Sequence, residues 1–233
     1  QSGSELNNIR IKNLNIFKEK GFPSKREENW KYTDLKTILS NNLNKLEIPN
    51  NKKTSQYNNG WMLKNFQHNQ IILVNGDFVS SNFSFEDKEK IKIKPLKMVL
   101  NGEKDFEKIR DYFTDQQNSL TSLNHALVND GIYLEIEDNY SFNKPLIIYN
   151  FFNKSSENKI INNKSFISLG KNSKLSLLEY YKAEDSIKYF NNTIHNYLIQ
   201  KNAILKKFSI DSNLDNSYNY HLTNVKSYSN SIF

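Results

Sequence analysis

Leu169-Gly170-Lys171-Asn172-Ser173-Lys174-Leu175 returns thirty residues later as Ile199-Gln200-Lys201-Asn202-Ala203-Ile204-Leu205. In both copies a Lys-Asn pair follows an apolar run, and a second run begins three residues on. A strand, a tight corner and a strand repeated without an intervening helix is the signature of a stacked β-solenoid. A β-sandwich leaves the same local marks. Asparagine reaches the left-handed backbone conformation at little cost, so Asn172 and Asn202 can turn a corner where other proteins use glycine. The chain has 37 Asn and only 7 Gly among its 233 residues, and this substitution reconciles many turns with few glycines.

Outward from that repeat the same texture extends in both directions. Ile132–Ile136, Leu146–Phe151, Phe166–Leu169, Leu175–Glu179, Ile194–Ile199, Ile204–Ile210 and His221–Val225 are short runs rich in β-branched and aromatic residues. Before Asn129-Asp130-Gly131 the period changes. Residues 103–113 and 116–128 carry apolar residues at helical spacing: Phe106, Ile109 and Phe113 in the first, Leu120, Leu123 and Leu127 in the second. Ile71–Val74, Asn75-Gly76 and Asp77–Val79 predict a hairpin with a two-residue type I′ turn. Ile91, Ile93 and Leu96 suggest a further strand, and residues 41–60 an exposed loop. Leu6, Ile9, Leu14 and Phe17 form the stripe of a first helix capped by Ser4 and stopped by Gly21 and Pro23. Ser24 and Glu27 fit a capping box, and Thr33 is the expected cap of a short helix ending near Ser40. Gln1-Ser2-Gly3, without an initiator methionine, reads as a vector-derived remnant. The expected organisation is therefore an N-terminal α+β domain over residues 4–115. Residues 116–233 supply a helix leading into the first coils of a β-helix.

Composition narrows the chemistry. Hydrophobic residues make up 37% of the chain and aromatic residues 13%, enough to build a core and too many for a disordered chain. Without cysteine there is no disulfide, no thiolate metal site and no cysteine nucleophile. No apolar run approaches the length of a membrane helix. The net charge of +7 is uneven: residues 101–150 hold 4 basic and 9 acidic groups, whereas the flanking segments are basic. Only Arg10, Arg26 and Arg110 could offer the guanidinium fork that nucleic-acid readers favour, so a solvated lysine surface is the preferred reading.

The four histidines, His68, His125, His195 and His221, lack the short spacing of a zinc site. His125 is expected on the surface of its helix or partly buried, and His195 and His221 on a strand face. No phosphate-cradling glycine loop and no serine-nucleophile elbow occurs. Glu135 and Glu137, two apart on a strand, share a face, as the carboxylates of a solenoid glycosidase would. The exposed polar side of a strand has the same pattern. Trp30 and Tyr32 admit base stacking, or the docking of a helix on a sheet.

Several stretches carry a family resemblance. Pro23-Ser24-Lys25-Arg26-Glu27-Glu28-Asn29-Trp30-Lys31-Tyr32-Thr33-Asp34-Leu35 resembles the Trp-Lys-Tyr-Thr element near the start of SufD proteins. Val74-Asn75-Gly76-Asp77-Phe78, Leu123-Asn124-His125-Ala126-Leu127 with Asp130-Gly131, Lys144-Pro145-Leu146-Ile147-Ile148, and Ser168–Ser173 with Leu178-Glu179-Tyr180-Tyr181 are similar to later elements of the same family, in the same order. Asn191-Asn192, Lys201-Asn202-Ala203 and Tyr220-His221-Leu222 continue the match. The sister subunit SufB shares the β-region and usually lacks the N-terminal signature.

The resemblance implies a right-handed parallel β-helix after the α+β domain. It also implies a non-catalytic, cytoplasmic (or, in a eukaryote, plastid) scaffold in iron–sulfur cluster assembly that pairs with SufB and with the ATPase SufC. It assigns this chain no catalytic, metal-binding or cofactor-binding residue, no nucleic acid and no membrane, and a cluster is held only transiently in the full complex. Family members are longer, so the chain is expected to correspond to about the first half of such a scaffold, with an open sheet edge prone to self-association. The alternative from the residues alone is a carbohydrate-active β-solenoid, an enzyme or a binding module.

Overall fold

A computed structural model describes residues 2–43, 45–49, 56–114, 118–212 and 216–233. The expected domain boundary at residues 115 and 116 and part of the 41–60 loop lie outside the described residues.

The first helix, α1 (Ser2–Lys20), already includes Ser2 and Gly3, so Ser4 is not its cap. It stops as expected: Gly21 takes φ 70° and its N–H reaches the Phe17 carbonyl at 2.7 Å. Ser24 and Glu27 form the box, with the Ser24 N–H on Glu27 Oε1, but it introduces a single 3-10 turn, Glu28–Trp30. The cap of α2 (Leu35–Asn42) is Asp34, whose carboxylate accepts from the Thr37 N–H at 3.0 Å; Thr33, one residue earlier, does not fill that role.

A hairpin follows, β1 (Asn69–Val74) and β2 (Asp77–Asn82), turned by Asn75 at φ 52° and Gly76 at φ 84°. Both positive φ values identify the I′ turn. A Cβ on Gly76 would also press on Ile161 Cγ2 at 2.9 Å. Next come β3 (Ile91–Pro95), α3 (Leu96–Asn101) and α4 (Glu103–Glu107). Leu96 thus opens a helix and does not extend the strand. The helix expected over 103–113 is broken, its second half being a 3-10 turn at Arg110–Phe113, yet Phe106, Ile109 and Phe113 still share one core.

α5 (Ser119–Leu127) is capped by Asn118 and packs against α1 on one side and sheet strands on the other. Every residue from Ser119 to Ala126 is buried. Its polar members therefore need partners. Asn124 Nδ2 donates to the carbonyls of Asn163 and Asn192 at 2.9 and 2.8 Å, and Asn192 Nδ2 returns a bond to the Leu120 carbonyl.

After α5 the chain is a two-sheet solenoid. Its strands are β4 (Asp130–Ile136), β5 (Leu146–Phe152), β6 (Ile160–Leu169), β7 (Lys174–Ala183), β8 (Phe190–Ile199), β9 (Ile204–Ser212) and β10 (Tyr218–Ser227). One sheet runs β2-β1-β5-β7-β9 and the other β10-β8-β6-β4-β3. All solenoid pairings are parallel; only β2 on β1 and β3 on β4 are antiparallel. Parallel stacking of consecutive coils settles the choice against a sandwich, which needs antiparallel sheets.

The corner repeat sits where the sequence puts it. Asn172 and Asn202 have φ 58° and 59°, and Asn139 and Asn230 hold the same corner one coil before and one after at 61° and 58°. The N–H of Asn139, Asn172 and Asn202 each reaches a carbonyl of the following coil, at Lys171, Lys201 and Ser229. The side chains form a ladder: Asn172 Nδ2 donates to Asn139 Oδ1 at 2.7 Å, and Asn202 Nδ2 to Asn172 Oδ1 at 2.9 Å.

The first coil is attached through Asp130-Gly131. Asp130, 2% exposed, accepts from the N–H groups of Phe78, Lys97 and Gly131, tying the hairpin and α3 to β4. Gly131 has φ 146°, and a Cβ there would lie 2.0 Å from the Lys164 carbonyl oxygen. Only glycine fits.

Candidate functional site

Inward-facing residues alternate along each strand, and parallel registry stacks them in columns along the solenoid axis. In the first coils the columns are apolar, with Ile71, Leu134, Leu146, Ile148, Ile167 and Leu177 in one core. Two coils on, the same columns become polar. Ile148 is followed by Glu179 and Ser209, and Leu177 by Lys207. Ser165 is followed by His195 and Thr223, and Ile167 by Tyr197. The interior thus changes from oil to a hydrogen-bonded charge cluster.

Glu179, 1% exposed, is its centre. Its carboxylate accepts from Lys207 Nζ at 3.0 Å, Tyr197 OH at 2.8 Å and Tyr181 OH at 3.4 Å, and His195 Nδ1 lies 3.1 Å away. His195 Nδ1 is also 2.8 Å from Ser165 Oγ, and its Nε2 is 3.3 Å from Tyr181 OH. His221 stacks on the His195 ring at 6.0 Å and meets Tyr181 edge-on at 4.7 Å.

Burial alone pushes the Glu179 carboxyl up, but His195 and Lys207 outweigh it and hold the group below the usual carboxylate range. Burial pushes His195 down to about 4, against the pull of Glu179, so the imidazole is neutral at pH 7. Burial likewise raises Tyr181 and Tyr197, further stabilised as phenols by the adjacent carboxylate. One carboxylate surrounded by a lysine, a neutral imidazole and two phenols is a saturated network. It holds the facing sheets together and leaves no lone pair of Glu179 for a proton transfer.

The other sequence candidates are dispersed. Glu135 and Glu137 do point the same way, into a surface lattice of charges: Lys92 bonds Glu135 at 3.0 Å and Lys90 bonds Glu137 at 3.0 Å, with Lys108 and Asp105 alongside. Burial raises Glu135, but the Tyr133 hydroxyl and Lys92 hold it below its ordinary value. A glycosidase acid needs the opposite shift. The polar strand side is the reading that fits.

His125 is not on a helix surface; it is 1% exposed, between Phe113 and the sheet, and burial lowers it to about 2. His68 Nε2 pairs with Tyr149 OH at 2.9 Å beneath the strap that covers β1 and β5. Trp30 docks on Tyr220 of β10 at 5.9 Å, whereas Tyr32 is 87% exposed beneath Lys31. Arg110 is paired with Glu5 and Glu107. Among the described residues no three His, Asp or Glu side chains gather as a metal site. No helix among them is long and apolar enough to cross a membrane.

Sequence reasoning missed the Glu179 cluster. Its signal was present: Glu179 in a run that otherwise alternates apolar residues inward, and Lys207 thirty residues after Leu177.

A family model described as the SufBD protein N-terminal region matches residues 1–148. No curated protein matches the chain. The matched stretch takes in α1 through the first residues of β5. It includes the Trp30 turn, the Asn75-Gly76 hairpin, the α5 asparagine and the Asp130-Gly131 junction, whose roles in this fold have just been described. It spans well over half of the 233 residues, and the chain belongs to the SufB/SufD family.

Proposed function

We propose that this protein is a SufD-type scaffold subunit in iron–sulfur cluster assembly, without chemistry of its own. The observation that carries the reading is the family match over residues 1–148, which points to cluster assembly as the process. The Trp30-Lys31-Tyr32-Thr33 signature favours SufD over SufB. The partners are a SufB-type subunit, met through the β-helix, and the SufC-type ATPase, which supplies the hydrolysis. The geometry supports a pairing role: β9 and β10 each have one strand neighbour in their sheet, and Phe208 and Ile210 are exposed on the outer side of β9. A cluster is cargo of the assembled complex, in the cytoplasm or, in a eukaryote, the plastid.

Co-expression of the full-length gene product with SufB and SufC, followed by anaerobic purification at low salt, tests the proposal. A stable complex with both is the expected result. Failure to retain either partner refutes it.

A further inference from the structure

Buried cations in folded proteins are paired, hydrogen-bonded or bound to a ligand. Arg10, on α1, is the exception here. Its Nη2 donates to the Val128 carbonyl at 2.7 Å, beyond the end of α5. Its Nε is sealed from solvent and has no acceptor. Among the described residues no carboxylate pairs with it. The guanidinium lines a cavity of about 220 Å³ between α1, the Asn75-Gly76 turn and the start of α3.

A second cation, Lys97, lines the same cavity with an exposed side chain that has no partner among the described residues. The carboxamides of Asn101 and Asn129 stand at the rim, both exposed. Two carboxylates also reach the cavity wall. Asp130 is occupied by three backbone N–H groups, and Asp77 has its own interaction elsewhere.

We propose that this cavity binds a small oxyanion of the phosphate type, with the Arg10 guanidinium as the fork and Lys97 as the second cation. A guanidinium offers parallel N–H groups at the spacing of two oxygens on one phosphorus, which chloride cannot match. Two cations facing one volume favour a dianion. The cavity is smaller than the roughly 300–1,000 Å³ of drug-sized sites, so it takes an inorganic anion or the terminal group of a phosphomonoester. Bound there, the anion would join α1, the β1–β2 turn and α3, the elements that Asp130 already ties to the solenoid.

The test titrates the chain with inorganic phosphate, with a phosphomonoester and with chloride at matched ionic strength, following the melting temperature and the heat of binding. Saturable stabilisation by phosphate over chloride is expected, weakened at least tenfold in Arg10→Gln and in Lys97→Glu. If Arg10→Gln does not fold, Lys97→Glu decides, because its side chain supports no other contact. A phosphomonoester binding more tightly than inorganic phosphate assigns the site to a terminal phosphate group; equal affinities assign it to the free anion. No saturable difference from chloride, or full binding in Lys97→Glu, overturns the proposal.

Discussion

Replacing Asn172 by alanine and by glycine separates the two things that residue does at the corner. Its backbone sits at φ 58°, and its carboxamide is the middle rung between Asn139 and Asn202. Alanine loses both functions. The left-handed conformation costs a residue with a Cβ about 1–2 kcal/mol, and two exposed side-chain hydrogen bonds contribute about 0.5 kcal/mol each at the low end of their range. Asn172→Ala should therefore destabilise the chain by about 2–3 kcal/mol on those two terms. Glycine restores the backbone and loses only the rungs, with a small added entropy in the unfolded chain, so Asn172→Gly should cost about 1–1.5 kcal/mol. The gap of about 1 kcal/mol corresponds to roughly 0.4 M in urea midpoint for a chain of this size. Urea titration followed by circular dichroism in the β region resolves such a difference. Equal midpoints for the two variants would refute the backbone argument, and a wild-type midpoint for Asn172→Gly would refute the ladder.

Three further outcomes follow from the same structure. Gly131→Ala places a Cβ 2.0 Å from the Lys164 carbonyl and should abolish soluble folded protein, a loss of more than about 4 kcal/mol, whereas Gly21→Ala, with φ 70° and open space, should cost only about 1–2 kcal/mol by calorimetry. Glu179→Leu leaves Lys207 without its carboxylate inside the solenoid and should cost about 3–5 kcal/mol in a thermal melt; a loss below about 1 kcal/mol would show that the cluster holds nothing together. Stability should fall as pH drops below about 6.5, before carboxylates titrate: the unfolded chain takes up protons on His195 and His125 that the folded chain refuses until about 4 and about 2. Each contributes a slope of about 1.4 kcal/mol per pH unit across its window, and His125→Leu should flatten the profile between pH 6 and 5 in urea titrations.

Much of the architecture was legible because it rests on local stereochemistry. Gly21, the Asn75-Gly76 pair and the Asn172 and Asn202 corners declare themselves by residue type, since few side chains tolerate positive φ. All seven solenoid strands were found at their apolar centres. Their polar ends were missed, as at Ile160–Lys164, because buried asparagines and Lys164 there are held by partners distant in sequence. Caps slipped by a residue or more at Ser4 and Thr33, where several neighbouring side chains can compete for the same N–H groups. His125 was misplaced because its helix is buried on every side, against α1 and the sheet, and that covering is invisible in a helical period.

The order of strands and corners, and the repeat of thirty residues, were determined by the chain itself: alternation and left-handed asparagines act within a few residues of one another. Which residues meet inside the solenoid was decided only by the tertiary structure. Glu179, His195, Lys207 and Tyr197 lie on three different strands, and parallel registry alone brings them together in a lumen where water cannot replace a missing partner. The same holds for Arg10, whose unpaired guanidinium acquires its meaning from Lys97 and the hairpin turn that close a cavity around it. Long-range juxtaposition in a low-dielectric interior sets these charges, and no local pattern encodes it.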